Sequence, residues 1–163
     1  MKSALLIIDV QKYYLNEFTK DIPAKLVSYI EKSDFDFIIF SKFVNHENSN
    51  VARVFGWKKM QGPPETDICD ELRKYAKENN VFEKDTYSLF QSESFRKYLE
   101  ENNISNLFIC GFDTDACVLA TSYEGFDRGF RVEVVEDLTV SSIGQQYRGS
   151  GLMIIKRRIQ PRL

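Results

Sequence analysis

Histidine occurs once in the 163 residues, at His46 in the polar run NHENSN. A zinc site built on two histidines is thereby excluded, and a cysteine–histidine dyad would have to recruit that single side chain. Cysteine is scarce as well. Cys69, Cys110 and Cys117 form an odd set without CxxC spacing, which argues for a reducing, cytoplasmic setting. No apolar stretch approaches the roughly 18 residues that span a bilayer, and the start MKSALLIID is shorter than a signal-peptide apolar region. Charge of one sign is missing too: 22 basic against 24 acidic side chains give a net charge of -2. Such a chain offers no general attraction to a phosphate backbone, so neither nucleic acid nor membrane is an expected partner. The basic end, Lys156, Arg157, Arg158 and Arg162, reads as a solvated face.

What the chain does have is apolar substance, with 43% hydrophobic and 13% aromatic residues, enough for one domain over residues 1–163 with a substantial core. Apolar runs of strand length recur at Ala4–Ile8, Phe37–Phe40, Asn80–Phe82, Leu107–Cys110 and Arg131–Val135. Between them lie helix-like patterns: Ile22–Ile30, Asp67–Lys77, Glu93–Glu100 and Asp115–Tyr123. A last helical pattern, Leu152, Ile155 and Ile159, is weakened by Gly149 and Gly151. Alternating strands and helices predict a three-layer α/β/α, Rossmann-like fold with a mainly parallel sheet of five or six strands and helices on both faces. The long irregular stretch Asn45–Thr66, which holds Trp57 and Pro63-Pro64, has the length of a functional loop or lid.

In open parallel sheets, ligands bind beyond the carboxyl ends of the strands. Three complementary groups stand there: Asp9 in LLIIDVQ, Lys84 in VFEKDTYSLF and Cys117 in CGFDTDAC. Each has an ordinary alternative. Asp9 can cap a helix beginning near Gln11, Lys84 can be solvated, and Cys117 can be a small buried hydrophobe. A helix N-terminus favours an ionised thiol, whereas Asp113 and Asp115, themselves candidate caps, would raise a nearby thiol pKa. Other chemistries fail on the letters. DVQKYYLNEF has no glycine for a phosphate-binding turn, Val10 and Gln11 stand where a second magnesium-holding carboxylate would be needed, and no GxSxG elbow exists for a serine hydrolase.

Taken together and in this order, LLIIDVQ, FEKDTYSLF and CGFDTDACVLAT resemble the three signature blocks of the isochorismatase-like cysteine hydrolases, a family that includes nicotinamidases and other small-amide hydrolases. The resemblance runs to about Ser142. It implies a triad of Asp9, Lys84 and Cys117. It also implies a non-proline cis peptide before Asp113, which turns the backbone N–H groups of Asp113 and Cys117 toward one point as an oxyanion hole. Metal-dependent nicotinamidases carry an Asp/His cluster after the second strand; here SKFVNHENSN offers only His46, which points away from nicotinamidase and toward metal-free, cofactor-free chemistry. Members closer to true isochorismatase lack the thiol, so Cys117 points away from vinyl-ether hydrolysis. Tyr147 stands near the last helix, where members often carry a histidine.

The reading that follows is a hydrolase of a small amide or carbamoyl C–N bond. Asp9 takes the thiol proton, Lys84 holds the carboxylate and favours the thiolate, and Cys117 attacks the carbonyl. Tyr13, Tyr14, Phe18 and Trp57 would wall a pocket for a flat substrate, and the family implies a homodimer or higher homo-oligomer. The rival readings are a non-enzymatic ligand-binding or partner-docking member of the same fold and an isochorismatase-type hydrolase.

Overall fold

The computed structural model describes residues 1–160; Arg162 of the basic end lies outside them. Five strands, β1 (Lys2–Ile8), β2 (Phe37–Phe43), β3 (Val81–Lys84), β4 (Ile104–Gly111) and β5 (Arg131–Thr139), form one sheet in the order β3-β2-β1-β4-β5. All four pairings are parallel. Among the described residues five α-helices accompany the sheet: α1 (Ile22–Glu31), α2 (Asn50–Phe55), α3 (Glu93–Glu101), α4 (Leu119–Asp127) and α5 (Gln145–Arg158).

The continuous apolar run of β1 is explained by burial on both faces. Ala4, Leu6 and Ile8 pack with Phe95 and Leu99 of α3 and Leu152 and Ile155 of α5. Leu5 and Ile7 pack the other way, with Ile22 and Leu26 of α1 and with Leu72. The order of strands reverses between β1 and β4, so the ends of these two strands flank the crevice where such sheets bind ligands.

Two segments differ from the sequence expectation. Asp67–Lys77 is not a helix. Ile68 forms an isolated antiparallel bridge with Gln11, and the amide of Cys69 donates to Val10 O. That pairing keeps the start extended, and only Asp70–Leu72 winds into a 3-10 turn. The stretch Asn45–Thr66 is not wholly irregular, because Ser49 caps α2 by accepting the Ala52 amide at 3.1 Å.

The two glycines of the last helix do not break it. At Gly151 an added Cβ would meet Thr114 O at 2.8 Å, so the bare backbone lets α5 lie against the segment that carries Cys117. Arg148 of α5 reaches back to the sheet edge, donating to Thr139 O at 2.9 Å and to Glu136 O at 2.8 Å. Gln160 accepts the Val134 amide at 2.9 Å. Part of the outer edge of β5 is thereby occupied by side chains, which blunts its capacity to pair with another strand.

Candidate active site

Asp9 follows β1 directly and has φ 50, a left-handed conformation that aspartate tolerates better than most residues. Its amide donates to Ser41 Oγ at 3.0 Å, and Ser41 Oγ in turn donates to Asp9 Oδ1 at 2.5 Å. The other carboxylate oxygen, Oδ2, accepts from Lys84 Nζ at 2.7 Å, with both side chains only 1% exposed. Asp9 is therefore no helix cap, and Lys84, the last residue of β3, is no solvated surface lysine. The ammonium also donates to Thr86 O at 2.8 Å and to Cys117 Sγ at 3.4 Å, and lies 5.1 Å from the centre of the Phe43 ring. Burial works against its charge, but Asp9 and then Cys117 outweigh that penalty and raise its pKa.

β4 delivers the cysteine. Gly111 has φ 104, and a Cβ there would lie 2.2 Å from Ile8 O; only glycine lets β4 end so close to β1. The Phe112–Asp113 peptide is cis, and the chain then enters a wide π-type turn, Thr114–Val118, ahead of α4. The carbonyl of Asp113 accepts from the amides of Ala116 and Val118, on either side of Cys117. Among the described residues no hydrogen bond takes up the Asp113 amide. The carboxylate of Asp113 does not cap the turn either; it turns to Ser142, which donates its amide and its hydroxyl, each at 2.8 Å.

The electrostatics differ from what a helix N-terminus alone predicts. Burial pushes the Cys117 thiol well above its ordinary pKa; Lys84 pulls it down and Asp9 pushes it up. The lysine is shared with a carboxylate, so the thiol faces an ion pair of no net charge in a desolvated place, which favours its neutral form. Cys69 is pushed up to about 12, chiefly by burial, and burial raises Cys110 as well.

A labelling experiment checks both accessibility and ionisation. Cys117 is 8% exposed, whereas Cys69 and Cys110 are fully covered, so limiting iodoacetamide on the native protein is expected to modify Cys117 alone. Because only the thiolate reacts, its rate should keep climbing above the free-cysteine value of roughly 8.5 and not level off there. A plateau below pH 8, or preferential labelling of either other cysteine on peptide mapping, would contradict this.

Of the expected pocket residues, three gather and one does not. Tyr13 meets Tyr14 edge-on at 5.4 Å and Trp57 at 5.7 Å, and Trp57 lies 6.3 Å from Phe43, the ring beneath Lys84. Burial raises the Tyr14 phenol pKa far above normal, with Asp9, Cys117 and Asp113 adding to the effect. Phe18, by contrast, lines a groove of about 1020 Å³ with Asp21, Lys25, Leu138 and Arg148, and no triad residue borders it. The turn at Asn16, whose Oδ1 accepts the Phe18 amide at 2.9 Å, carries the ring away from Tyr13 and Tyr14.

Sequence reasoning missed Ser41, Phe43 and Gln11. The available signal at Ser41 was a serine inside the apolar run FIIFSKF. Gln11 is fully buried and pins the loop to β2: its Nε2 donates to Phe43 O at 2.9 Å and Thr66 O at 2.8 Å, and its Oε1 accepts the Phe43 amide at 2.9 Å. His46 Nε2 pairs with Glu83 Oε1 at 3.1 Å on the surface. Among the described residues no three His, Cys, Asp or Glu side chains gather to hold a metal ion, and no helix is long and apolar enough to cross a membrane.

The chain is a parallel α/β sheet that carries an acid, a lysine and a cysteine together at the carboxyl ends of β1, β3 and β4. Residues 3–156 match the family model described as the isochorismatase domain, and the chain belongs to the isochorismatase family of hydrolases. An isochorismatase family protein of Bacillus subtilis is 27% identical over 169 residues, covering 90% of each chain. An isochorismatase-like hydrolase from Alkaliphilus metalliredigens superposes with a TM-score of 0.84 at 22% identity, over 96% of this chain and 92% of that one. N-carbamoylsarcosine amidase from Thermoplasma acidophilum gives a TM-score of 0.77 at 22% identity, over 98% of this chain and 93% of its own.

Proposed function

We propose that the protein is a single-domain, metal-free cysteine hydrolase that cleaves a small amide or carbamoyl C–N bond through a thioester. The observation that carries this reading is the convergence of Asp9, Lys84 and Cys117 on one buried ammonium, 2.7 Å from the carboxylate and 3.4 Å from the sulfur. Independent structural roles explain that convergence poorly, and the amidase among the fold neighbours fits the same bond class.

Burial favours the neutral thiol, and this sets the order of steps. As Cys117 Sγ bonds to the carbonyl carbon, its proton passes to Asp9, and the carbonyl π electrons move onto oxygen. The amides of Asp113 and Cys117 hold that oxyanion. Collapse breaks the C–N bond while Asp9 returns the proton to the departing amine, leaving a thioester. Water, losing a proton to Asp9, then attacks the thioester, and the acid leaves as the thiol is reprotonated. Throughout, Lys84 and Ser41 keep the carboxylate in place, and Tyr13, Tyr14 and Trp57 wall the substrate.

Ammonia release across a panel of small amides and carbamoyl compounds tests the reading. Turnover is expected with at least one of them and should survive exhaustive chelation, because His46 is the only histidine and is paired with Glu83. A loss on chelation that zinc, manganese or iron restores would overturn the metal-free assignment. Absence of turnover across the panel, with Cys117 unmodified by any member, would favour a binding module. Light scattering checks the homodimer or larger assembly that belongs to the same reading.

A further inference from the structure

The half-buried carboxylate of Asp113 has no part in the steps above, yet it is one of the most firmly held side chains near the site. Each oxygen takes one donor from the same residue, the amide and the hydroxyl of Ser142, both at 2.8 Å. The contact is reinforced on both sides. Thr114 donates its amide to Val140 O at 3.2 Å, and Ser141 Oγ donates to Asp115 Oδ1 at 2.6 Å. Ser142 also has a third engagement: its carbonyl accepts from Asn16 Nδ2 at 2.7 Å, and Asn16 lies in the loop that presents Tyr13 and Tyr14. Three segments therefore meet at Ser142, namely the turn after β4, the connection from β5 to α5, and the tyrosine loop.

We infer that Ser142 is a positioning residue for the hydrolytic reaction: through the Asp113 side chain it holds the turn whose Asp113 and Cys117 amides face the developing oxyanion, and through Asn16 it keeps the tyrosine wall in register with that turn. The physical reason is short leverage. The Asp113 carboxylate and amide share one Cα, so two hydrogen bonds to the carboxylate limit rotation of the residue that carries the amide. Oxyanion stabilisation depends on donors held within a few tenths of an ångström. The carboxylate tolerates burial because Ser142 donates to it twice; burial raises its pKa, and those two bonds oppose the rise. Neither side chain touches the reacting atoms in this arrangement, so both act through the backbone.

The kinetic part of this inference rests on the hydrolase reading, and the experiment separates the two. Ser142→Ala is expected to lower kcat at least about tenfold, a fraction of the 10²–10³ that loss of a whole oxyanion donor costs, with KM within twofold. Alkylation of Cys117 by iodoacetamide should keep its rate, since that displacement develops no charge on a carbonyl oxygen. Amide hydrogen exchange in the peptide covering residues 111–118 should quicken. Ser142→Thr retains both donors and should restore kcat and exchange. Asp113→Ala should reproduce the loss, and the double variant should be no worse than either single one, because both remove the same contact. A parental kcat in Ser142→Ala, additive losses, or a changed alkylation rate would overturn the inference. If the parent turns over nothing in the panel, the hydrolase reading fails and exchange alone decides: faster exchange in Ser142→Ala upholds the latch, and unchanged exchange refutes it.

Discussion

Replacing Lys84 with methionine is expected to reduce turnover by at least a factor of about a hundred and, in the same molecule, to cost about 3–5 kcal/mol of stability. The stability loss follows from burial: Asp9 and Lys84 are each 1% exposed in their side chains, and methionine fills the space without supplying charge. The Asp9 carboxylate is then left in a dry site with Ser41 as its remaining side-chain donor. Adding Asp9→Asn removes the stranded charge, so the double variant should recover most of the stability. It should recover none of the turnover, because it has no base to take the Cys117 proton. Urea denaturation and steady-state kinetics on the two variants measure both halves. Recovery of stability together with turnover, or a single variant that keeps full activity, would mean that the ion pair is structural and the hydrolytic assignment wrong.

Gly111→Ala should prevent folding or lower stability by more than about 4–5 kcal/mol, the range reserved for substitutions the structure cannot absorb. Two effects coincide there. The residue has φ 104, and the new Cβ would lie 2.2 Å from Ile8 O and 2.7 Å from Ile8 N. Both obstacles are backbone, in the central strand of the sheet, and the Phe112 amide is bound to the same Ile8 carbonyl at 2.7 Å. No side-chain rotation can relieve the clash. Gly149→Ala is the matching control. That glycine lies inside α5 with nothing within 4 Å of its added Cβ, and the substitution should stabilise by roughly 0.5–1 kcal/mol through helix propensity. Thermal melts of the two variants should move in opposite directions; equal behaviour would refute the close-approach argument.

Much of the candidate site was legible because strand ends are legible. The runs before Asp9 and after Leu107 are apolar and short, bounded by a polar residue and a glycine, and in a parallel sheet such boundaries fall on one edge. Lys84 was visible as a lysine at the end of a short apolar run, although its burial was not. The charge state of Cys117 was not legible. Helix position argues for a thiolate, but desolvation and the sharing of Lys84 with Asp9 depend on distances that no spacing encodes, and they raise the thiol pKa. The place of Phe18 was not legible for a related reason: four residues beyond Tyr14 and past a turn closed by Asn16 and Thr19, it lines a groove that no triad candidate borders.

Local patterns in the chain determined the alternating elements, the parallel sheet and the positions of Asp9, Lys84 and Cys117 at strand ends, because hydrophobic periodicity and turn residues act over neighbouring positions. They determined little about Asp67–Lys77, whose apolar spacing matched a helix until pairing of Ile68 with Gln11 drew its start into an extended bridge. Only the tertiary structure decided that Ser41 orients Asp9 across 32 residues, that Lys84 is shared between acid and thiol, and that Ser142 holds Asp113 across 29 residues. The reason is physical: each is a buried or half-buried polar contact between distant segments, and its partner is chosen by which polar group the packed sheet brings within hydrogen-bond reach.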